Sequence, residues 1–288
     1  MYGEMTGILN MRARCFPNAN LPPIGDDRCN PPAVTASSGS GDKSGELYAQ
    51  VMGWDDKGFG TMSPRTEADL AAMIRLCKAS FPSQSRVLEI GFGNGGVLFY
   101  GRRRQWEMHG TELNELLLKR ARGNGFDVRH GDNLSSFTEP FDLVLAFDVL
   151  EHMPGDKLPE LFERVRRMVK DGGIFIARFP NGDSPFSRFV QHGDATHVTV
   201  LGSRKAAYYA RHAGMEIVYL GGQPQPLLAG LPHFCYRIVA NPIRSLLNLF
   251  LNLLFCPGDP RSLCTTNLVM VLRAAKASAP ELNGHPQG

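Results

Sequence analysis

The sequence lacks long runs of one charge, and it lacks an apolar run near its N-terminus. Its 288 residues include 31 basic and 28 acidic side chains spread along the chain, for a formal net charge of +3. Binding to nucleic acid is therefore not expected. Arg12 and Arg14 are followed by Pro, Asn and Gly instead of apolar residues, so no secretory signal is predicted.

Closely spaced cysteines are also absent. The six cysteines form no C-x-x-C pair and stand at positions 15, 29, 77, 235, 256 and 264. This spacing argues against a zinc site and against a small disulfide framework, so no metal is predicted. A reducing, cytoplasmic location is the simplest expectation.

Apolar residues are scarce at both ends of the chain. Residues 1–45 include "NANLPPIGDD" and "SSGSGDKSG", which offer too little apolar surface to offset the entropy of ordering them. We predict disordered tails over 1–45 and 276–288. Residues 46–275 then form one domain, with a helical insertion over about 221–266.

Within this domain, short apolar runs alternate with amphipathic segments, a pattern typical of βαβ units. The predicted fold is α/β and Rossmann-like: a doubly wound, mainly parallel seven-stranded sheet with helices on both faces. A first helix is predicted within 63–81, with Thr66 as its cap and Phe81-Pro82 at its C-terminal end. Predicted strands are 86–90, 107–112, 127–130, 141–147, 173–179, 216–220 and 267–273, and further helices are 95–103, 114–122 and 157–170.

The insertion contains an apolar helix over about 243–256. Arg244, Asn248 and Asn252 recur every four residues, so they form one polar stripe on an otherwise apolar helix. It is too short and interrupted for a convincing membrane span. It packs on its own domain as a cap, lies peripherally on a membrane, or forms a dimer interface. The oligomeric state is not predicted.

The segment "VLEIGFGNGG" links the first strand of the sheet to a helix. Gly91, Gly93 and Gly96 satisfy G-x-G-x-x-G, a pattern found in dinucleotide sites. Residues without a Cβ let backbone approach a ligand, and the helix N-terminus presents free N–H groups to it. The pattern permits a dinucleotide, another adenosine-containing cofactor, or a turn without a ligand.

Three acidic features help to separate these alternatives. Glu89 interrupts an apolar strand, which is costly unless its carboxylate meets a donor or a cation, and a dinucleotide site has no obvious use for it. Glu112 ends the second strand, where an acid can accept ribose hydroxyls. "GDN" at 131–133 follows the third strand, and "FDLVLAFDVLEHMP" at 141–154 carries the fourth into an acidic loop. A plain nicotinamide site does not predict that loop.

Together, "VLEIGFGNGG", "GTELNE", "HGDN", "FDLVLAFDVLEHMP" and "KDGGIFIARFPN" resemble class I S-adenosylmethionine-dependent methyltransferases. More narrowly, they resemble the branch with a D-V-x-E-H fourth motif, which acts on small molecules, quinones, sugars and lipids. The resemblance is close over residues 85–220 and looser over 267–273. The chain departs from the family pattern over 221–266.

This resemblance implies S-adenosylmethionine as the cofactor and assigns site residues. For Asp132 a turn-forming role is the structural alternative, and for Asp148 it is capping of the following helical turn. The implied cofactor contacts are Glu89, Gly91, Gly93 and Gly95 at the methionine end, Glu112 at the ribose hydroxyls, Leu113 on the adenine face, Asp132 and the backbone of Asn133 at the adenine amino group, and Phe147 and Asp148 beside the sulfonium.

The implied reaction is in-line methyl transfer, for which a protein supplies orientation and electrostatics. We expect O-methylation of a small-molecule, sugar or lipid-linked acceptor. His152 and His197 are the candidate bases, and Asp148 is a third candidate catalytic residue. The alternative for His152 is a structural role, and for His197 it is a hydrogen bond that stabilises its loop. His192 and Asp194 are weaker candidates. The alternatives are a catalytically idle cofactor-binding scaffold and an NAD-linked oxidoreductase.

Two aromatic segments are predicted to border the site. The loop 179–189 carries Phe179, Phe186 and Phe189, which suit the walls of an acceptor pocket; the alternative, more common for aromatic residues, is that they belong to the core. The segment 53–60 carries Trp54 and Phe59, which could close over the cofactor as a lid or belong to an unstructured linker.

Overall fold

The computed structural model describes residues 58–227 and 231–275, without the side chains of 231–233. The predicted tails, 1–45 and 276–288, and Trp54 lie outside these residues. The strands are β1 Arg86–Ile90, β2 Glu107–Glu112, β3 Asp127–His130, β4 Phe141–Phe147, β5 Val169–Pro180, β6 Met215–Gly222 and β7 Asn267–Ala274. The helices are α1 Pro64–Arg75, α2 Gly96–Arg103, α3 Glu115–Gly123, α4 Leu158–Met168, α5 Arg188–Gln191, α6 Ser203–His212 and α7 Leu231–Phe255.

The strands form one sheet in the order β3-β2-β1-β4-β5-β7-β6. Strands β1 to β5 pair in parallel, and β7 lies antiparallel between β5 and β6. This confirms the predicted mainly parallel seven-stranded sheet. The order of strands reverses between β1 and β4, and ligands of open α/β sheets bind at such a switch point, beyond the carboxyl ends of the strands.

Both faces of the sheet are buried. Along β4, Val144 and Ala146 enter one hydrophobic cluster, whereas Leu143 and Leu145 enter the other. Side chains of a strand alternate between its two faces, so a strand covered on both sides is apolar throughout. This is why "LVLA" is a continuous apolar run.

The predicted bounds of the first four strands agree with the structure, but those of α1 are wrong at the C-terminal end. Its cap is Ser63, whose Oγ accepts a hydrogen bond from the backbone N–H of Thr66, so the predicted cap is also wrong. The helix ends at Arg75, and Lys78 then adopts a left-handed conformation with φ 49°. Strand β5 begins at Val169, earlier than predicted, because Val169 pairs with Phe141 across a register shift.

Helix α7 is longer than predicted, since it begins at Leu231 and continues through Pro242. Its segment Phe234–Phe255 is long and apolar enough to cross a membrane by length and composition, with a mean hydropathy of 1.4, and only 6% of that apolar window is buried. The expectation that this helix is too short for a membrane span is therefore wrong.

Candidate active site

The glycine turn after β1 depends on left-handed backbone. Gly91, Gly93 and Gly95 have φ values of 68°, 51° and 72°, which glycine adopts without the steric cost that a Cβ brings. A Cβ on Gly91 would lie 2.7 Å from Cγ2 of Val149, directly after β4. The turn is therefore packed against the loop that follows β4.

The segment 58–60 lies on the same turn. The Asn94 side chain donates to the carbonyl of Gly58 at 2.7 Å, and the N–H of Gly60 donates to the carbonyl of Asn94 at 2.7 Å. A Cβ on Gly95 would lie 2.8 Å from the ring of Phe59. These residues are thus fixed to the glycine turn, and their action as a lid stays a prediction.

Glu112 joins the end of β2 to the glycine turn. Its carboxylate accepts backbone hydrogen bonds from Gly93 at 2.9 Å, Leu113 at 2.7 Å and Asn114 at 3.1 Å. These bonds hold the turns after β1 and β2 together. The carboxylate lies where the resemblance places a ribose-binding acid, a role that stays a prediction.

The residues assigned to the adenine gather at the next turns. The Leu113 side chain is exposed and approaches the turn after β3, since a Cβ on Gly131 would lie 2.8 Å from its Cδ2. Asp132 and Asn133 lie exposed in the 3-10 turn Gly131–Ser136. The Asp132 carboxylate is 3.3 Å from Nδ1 of His130. The structure thus brings these residues to one edge, with their carboxyl and amide groups open to solvent.

Glu89 is a buried carboxyl group on the cofactor side. Its side chain is 4% exposed, and its Oε2 has no hydrogen-bond partner among the described residues. Burial, and then the negative charge of Glu112, raise its pKa well above the usual range. A buried acid without a partner fits the cationic amino group that a methionyl ligand presents. This is the feature of the site that best fits an aminoacyl cofactor.

Phe147 and Asp148 end β4 beside a basic residue that the sequence analysis missed. Arg178 of β5 donates from Nε to Oδ1 of Asp148 at 3.0 Å, and from Nη2 to Oδ2. Its guanidinium lies 5.4 Å from the centroid of the Phe147 ring. Burial lowers the pKa of Arg178, but Asp148, together with Glu151 and Asp69, raises it above its usual value. The sequence signal for this ion pair is a basic residue, Arg178, within the apolar run "GIFIARF".

Asp148 does not cap the turn that follows it. The 3-10 turn Leu150–His152 is preceded by Val149 and has no side-chain cap, so the structural alternative for Asp148 is wrong. Asp148 adopts φ 55°, which is uncommon for a residue with a Cβ. Its backbone N–H donates to the carbonyl of Arg178 at 2.9 Å. The two residues are therefore joined by a backbone hydrogen bond as well as by the side-chain ion pair.

The structure brings the two candidate bases together. The rings of His152 and His197 lie edge to face with centroids 4.7 Å apart. Nδ1 of His197 lies 3.1 Å from the carbonyl of Gln191, so the loop-stabilising role and a catalytic role can coexist. His192 lies exposed in the same loop, and Asp194 accepts a hydrogen bond from Thr196.

Glu151, the acidic residue of the D-V-x-E-H motif, lies beside the two histidines, and sequence reasoning assigned it no role. It is 1% exposed, and neither carboxylate oxygen has a hydrogen-bond partner within the described part of the chain. Burial, and then the charge of Asp148, raise its pKa to about 8. Its Oε1 is 3.9 Å from Nε2 of His197. The acceptor side therefore contains a second buried carboxyl group without a partner.

The loop after β5 supplies fewer pocket walls than predicted. Phe179 is fully buried in the core, because it belongs to β5 and packs in the same hydrophobic cluster as Val144 and Ala146 of β4. The expectation that it lines a pocket is wrong. Phe186 and Phe189 are exposed, which suits a surface that contacts an apolar molecule.

Comparison with known proteins agrees with this arrangement. A family model described as a methyltransferase domain matches residues 64–220. A search of curated protein sequences finds no match. Among solved structures, an S-adenosylmethionine-dependent methyltransferase from Archaeoglobus fulgidus has a TM-score of 0.55 at 20% identity, covering 79% of this chain and 98% of that one.

Two further solved structures share the fold. A protein of Galdieria sulphuraria, provisionally named a sarcosine dimethylglycine methyltransferase, has a TM-score of 0.53 at 17% identity and covers 81% of this chain and 99% of its own. The [4+2]-cyclase SpnF has a TM-score of 0.50 at 17% identity and covers 82% and 97%. Fold alone does not determine the reaction, and the cyclase illustrates this.

The family model spans more than half of the chain, and its matched residues include the glycine turn and strands β1 to β5. The predicted family is confirmed, whereas the narrower D-V-x-E-H branch stays a prediction. The chain belongs to the methyltransferase domain family, and its fold is that of the class I S-adenosylmethionine-dependent methyltransferases.

Proposed function

We propose that this methyltransferase works at a membrane surface and methylates a hydroxyl group of an apolar or lipid-linked acceptor. S-adenosylmethionine supplies the methyl group. The observation that carries the proposal is the orientation of α7: its polar side chains face the protein, and its apolar side chains face outward.

The inward side of α7 is polar along its length. Arg237 is 1% exposed and donates to Asp69 of α1 at 3.1 Å. Asn241 donates to the carbonyl of Gln225 at 3.3 Å. These contacts anchor the N-terminal half of the helix to the domain.

The C-terminal half is anchored in the same way. Oδ1 of Asn248 accepts from the N–H of Cys264 at 3.2 Å. The Asn252 side chain accepts from the N–H of Arg261 at 2.6 Å and donates to its carbonyl at 2.8 Å. A helix bonded to the domain along its length lies flat on it, which supports a peripheral helix over a spanning one.

The outward side of α7 carries more than half of the exposed large apolar side chains in the described part of the chain. An ordinary surface helix has the opposite arrangement, with its apolar stripe facing the core. Exposed apolar patches of this extent mark sites of interaction. The exposed apolar residues of α7 are Tyr236, Ile238, Val239, Ile243, Leu246, Leu247, Leu249, Phe250, Leu253, Leu254 and Phe255.

Charge favours a lipid surface over a second copy of the chain. No acidic residue occurs from 217 to 258, and Arg244 lies on the helix; the other basic residue of the helix, Arg237, is buried and paired with Asp69. Basic apolar helices bind the interface of membranes that contain anionic lipids. A second copy would bring a second Arg244 but no acidic residue of the segment 217–258 to pair with it.

The insertion also contacts the loop on the acceptor side. The Asn181 side chain donates to the carbonyl of Ser262 at 2.6 Å, and Ser184 donates to the carbonyl of Leu263 at 2.5 Å. Arg261 pairs with Asp183 at 3.0 Å. A helix seated on lipid would therefore bring the loop 181–187 close to the same surface.

A hydroxyl acceptor must lose its proton during transfer, and His152 is available as a base. Burial, and then the neighbouring His197, lower the pKa of His152. A lowered pKa favours the neutral imidazole, which is the form that a general base needs. His197 adjoins it and is the second candidate.

Vesicle co-sedimentation tests the membrane contact. With vesicles of phosphatidylcholine and phosphatidylglycerol, we expect the wild-type chain to sediment and the double variant Leu249→Glu/Leu253→Glu to stay in solution. Leu116→Glu, a matched change at an exposed leucine of α3, should sediment like the wild type. A wild-type chain that stays in solution, or that self-associates through α7 in light scattering without binding vesicles, would overturn the membrane proposal.

Transfer of labelled methyl groups tests the acceptor class. Purified protein, labelled S-adenosylmethionine and a total lipid extract should yield label in the organic phase. His152→Gln and His197→Gln should reduce this labelling while leaving affinity for S-adenosylhomocysteine unchanged. Label found only in water-soluble products would contradict a lipid-linked acceptor and leave the methyltransferase assignment intact.

A further inference from the structure

Glu151, His152 and His197 form a cluster of metal-ligating side chains. Each offers one potential ligand atom, and these atoms all lie within 4.8 Å of one another. The residues come from the loops after β4 and β5. Two imidazoles and one carboxylate form a known donor set for zinc and other first-row transition metals.

The burial of Glu151 points independently to a cation. Both its oxygens lack a hydrogen-bond partner among the described residues, although the side chain is 1% exposed. A carboxylate in such surroundings is costly unless it is paired or coordinates a metal. Its backbone carbonyl accepts from the N–H groups of Val198 and Thr199 at 2.9 and 3.0 Å, which ties it to the loop that carries His197.

Outer hydrogen bonds orient His197 for coordination. Its Nδ1 lies 3.1 Å from the carbonyl of Gln191. A carbonyl only accepts, so Nδ1 carries the proton and the lone pair is on Nε2. Metal-binding histidines are held in this way by a backbone carbonyl.

His152 is held by an equivalent chain. The Thr196 hydroxyl donates its one proton to Oδ1 of Asp194 at 2.5 Å, so it accepts from Nδ1 of His152 at 2.9 Å. The lone pair of His152 is therefore also on Nε2. The second carboxylate oxygen of Asp194 lies 3.9 Å from Nε2 of His197, which adds negative charge beside the cluster.

We propose that Glu151, His152 and His197 bind a divalent transition-metal ion through one carboxylate oxygen and the two Nε2 atoms. Three protein ligands leave a coordination position open, as in catalytic zinc sites. Bound there, an acceptor hydroxyl would have a lower pKa, and with the ion in place His152 and His197 would act as ligands and not as bases. That catalytic role rests on the proposed function, whereas binding of the ion does not.

Metal titration in the absence of cofactor and acceptor tests the site. The full chain is treated with chelator, dialysed and titrated separately with Zn²⁺, Mn²⁺ and Mg²⁺ by calorimetry, with Mn²⁺ also followed by electron paramagnetic resonance. We expect one tight site per chain, with at least tenfold higher affinity for Zn²⁺ or Mn²⁺ than for Mg²⁺. Wild-type protein with no such site overturns the proposal and leaves the methyltransferase assignment unaffected.

Variants locate the site. Glu151→Gln and His197→Gln should each weaken the tight site at least tenfold, and Thr196→Val should weaken it less, because it only loosens His152. His192→Gln, an exposed residue of the same loop, is the matched control and should bind like the wild type. Circular dichroism checks that each variant is folded. If Glu151→Gln does not fold, the affinities of His197→Gln and Thr196→Val for the metal ion still test the proposal. Equal affinity in these variants and the wild type overturns the proposal.

Discussion

The cofactor side and the acceptor side of this protein are built in different ways. On the cofactor side, left-handed glycines shape the turn after β1, and Glu112 is satisfied by three backbone N–H groups. On the acceptor side, Glu151 is buried without a hydrogen-bond partner in the described structure, and Phe186 and Phe189 are exposed. A pocket shaped by backbone can be recognised from sequence, whereas one assembled from side chains of separate loops cannot.

Helix α7 extends this contrast. The helices beside the parallel strands direct apolar residues into the core, as Leu161 and Val165 of α4 do. In α7 the inward positions are instead polar, with Arg237 and Asn252 both buried. The comparison teaches that the two sides differ in construction: backbone turns shape the cofactor side, whereas the acceptor side carries an exposed apolar surface.

Replacing Gly91 should have the largest effect on the cofactor side. In Gly91→Ala, the Cβ meets Val149 and the residue must hold a left-handed φ. We expect affinity for S-adenosylhomocysteine to fall about a hundredfold, or about 2.7 kcal/mol, by calorimetry. Gly125→Ala is the matched control, because Gly125 has φ 78° but no atom near the added Cβ. It should lose about 1 kcal/mol of stability and no affinity; equal binding by both variants would contradict this account.

Removal of Glu112 should have the next largest effect. We expect low-micromolar binding of S-adenosylhomocysteine to wild-type protein, about −8 kcal/mol, and a loss of about tenfold to a hundredfold in Glu112→Ala. The reason is that the variant loses the carboxylate predicted to accept the ribose hydroxyls and frees the N–H of Gly93.

Glu107→Ala, at the other end of β2, is the control for Glu112 and should bind normally. If well-folded wild-type protein does not bind S-adenosylhomocysteine, the predicted roles of the glycine turn and Glu112 in holding the cofactor are wrong.

The pair Asp148–Arg178 lies at the boundary between the two sides and should affect stability. Arg178→Gln leaves Asp148 and Glu151 without their neighbouring cation. Since the Asp148 side chain is 46% exposed, we expect a loss of only about 1–2 kcal/mol in the free energy of urea unfolding, below that of a fully buried pair.

The double variant Asp148→Asn/Arg178→Gln should recover part of that loss, which would measure the coupling. Arg273→Gln removes a more exposed pair with Glu216 and should change stability by about 0.5 kcal/mol or less. If Arg273→Gln costs as much as Arg178→Gln, the pair at the site has no special role.

The smallest expected effect is a pH dependence from Glu89. Its pKa is raised in the folded protein, so the folded state holds a proton that the unfolded state releases. This stabilisation is present below the usual glutamate pKa and is lost as pH rises through the folded pKa.

In chelator-treated protein, the free energy of unfolding should therefore fall with rising pH, and Glu89→Gln should make the slope shallower. Glu67→Gln, at a half-exposed position of α1, should leave the slope unchanged. A slope identical in wild type and Glu89→Gln would show that Glu89 titrates normally.

Much of the scaffold was predictable because it follows local periodicity. The bounds of β1 to β4, the glycine turn and the acid that ends β2 could be read from the sequence. The errors lie where the deciding contact is distant or the signal is weak: Ser63 caps α1 in place of Thr66, Asp148 pairs with Arg178 instead of capping, and Phe179 is core. The residue types at these positions permit either role.

The sequence by itself determined the alternation of strands and helices, the left-handed turn and the family, because these depend on residue spacing and on glycine. It also predicted a polar stripe on the helix that became α7, but not the direction of that stripe. Only the tertiary structure decided that the stripe faces inward, and that Glu151, His152 and His197 meet although the loops that carry them are separated in sequence. The physical reason is that such contacts depend on how loops and helices pack across the sheet, which no local pattern records.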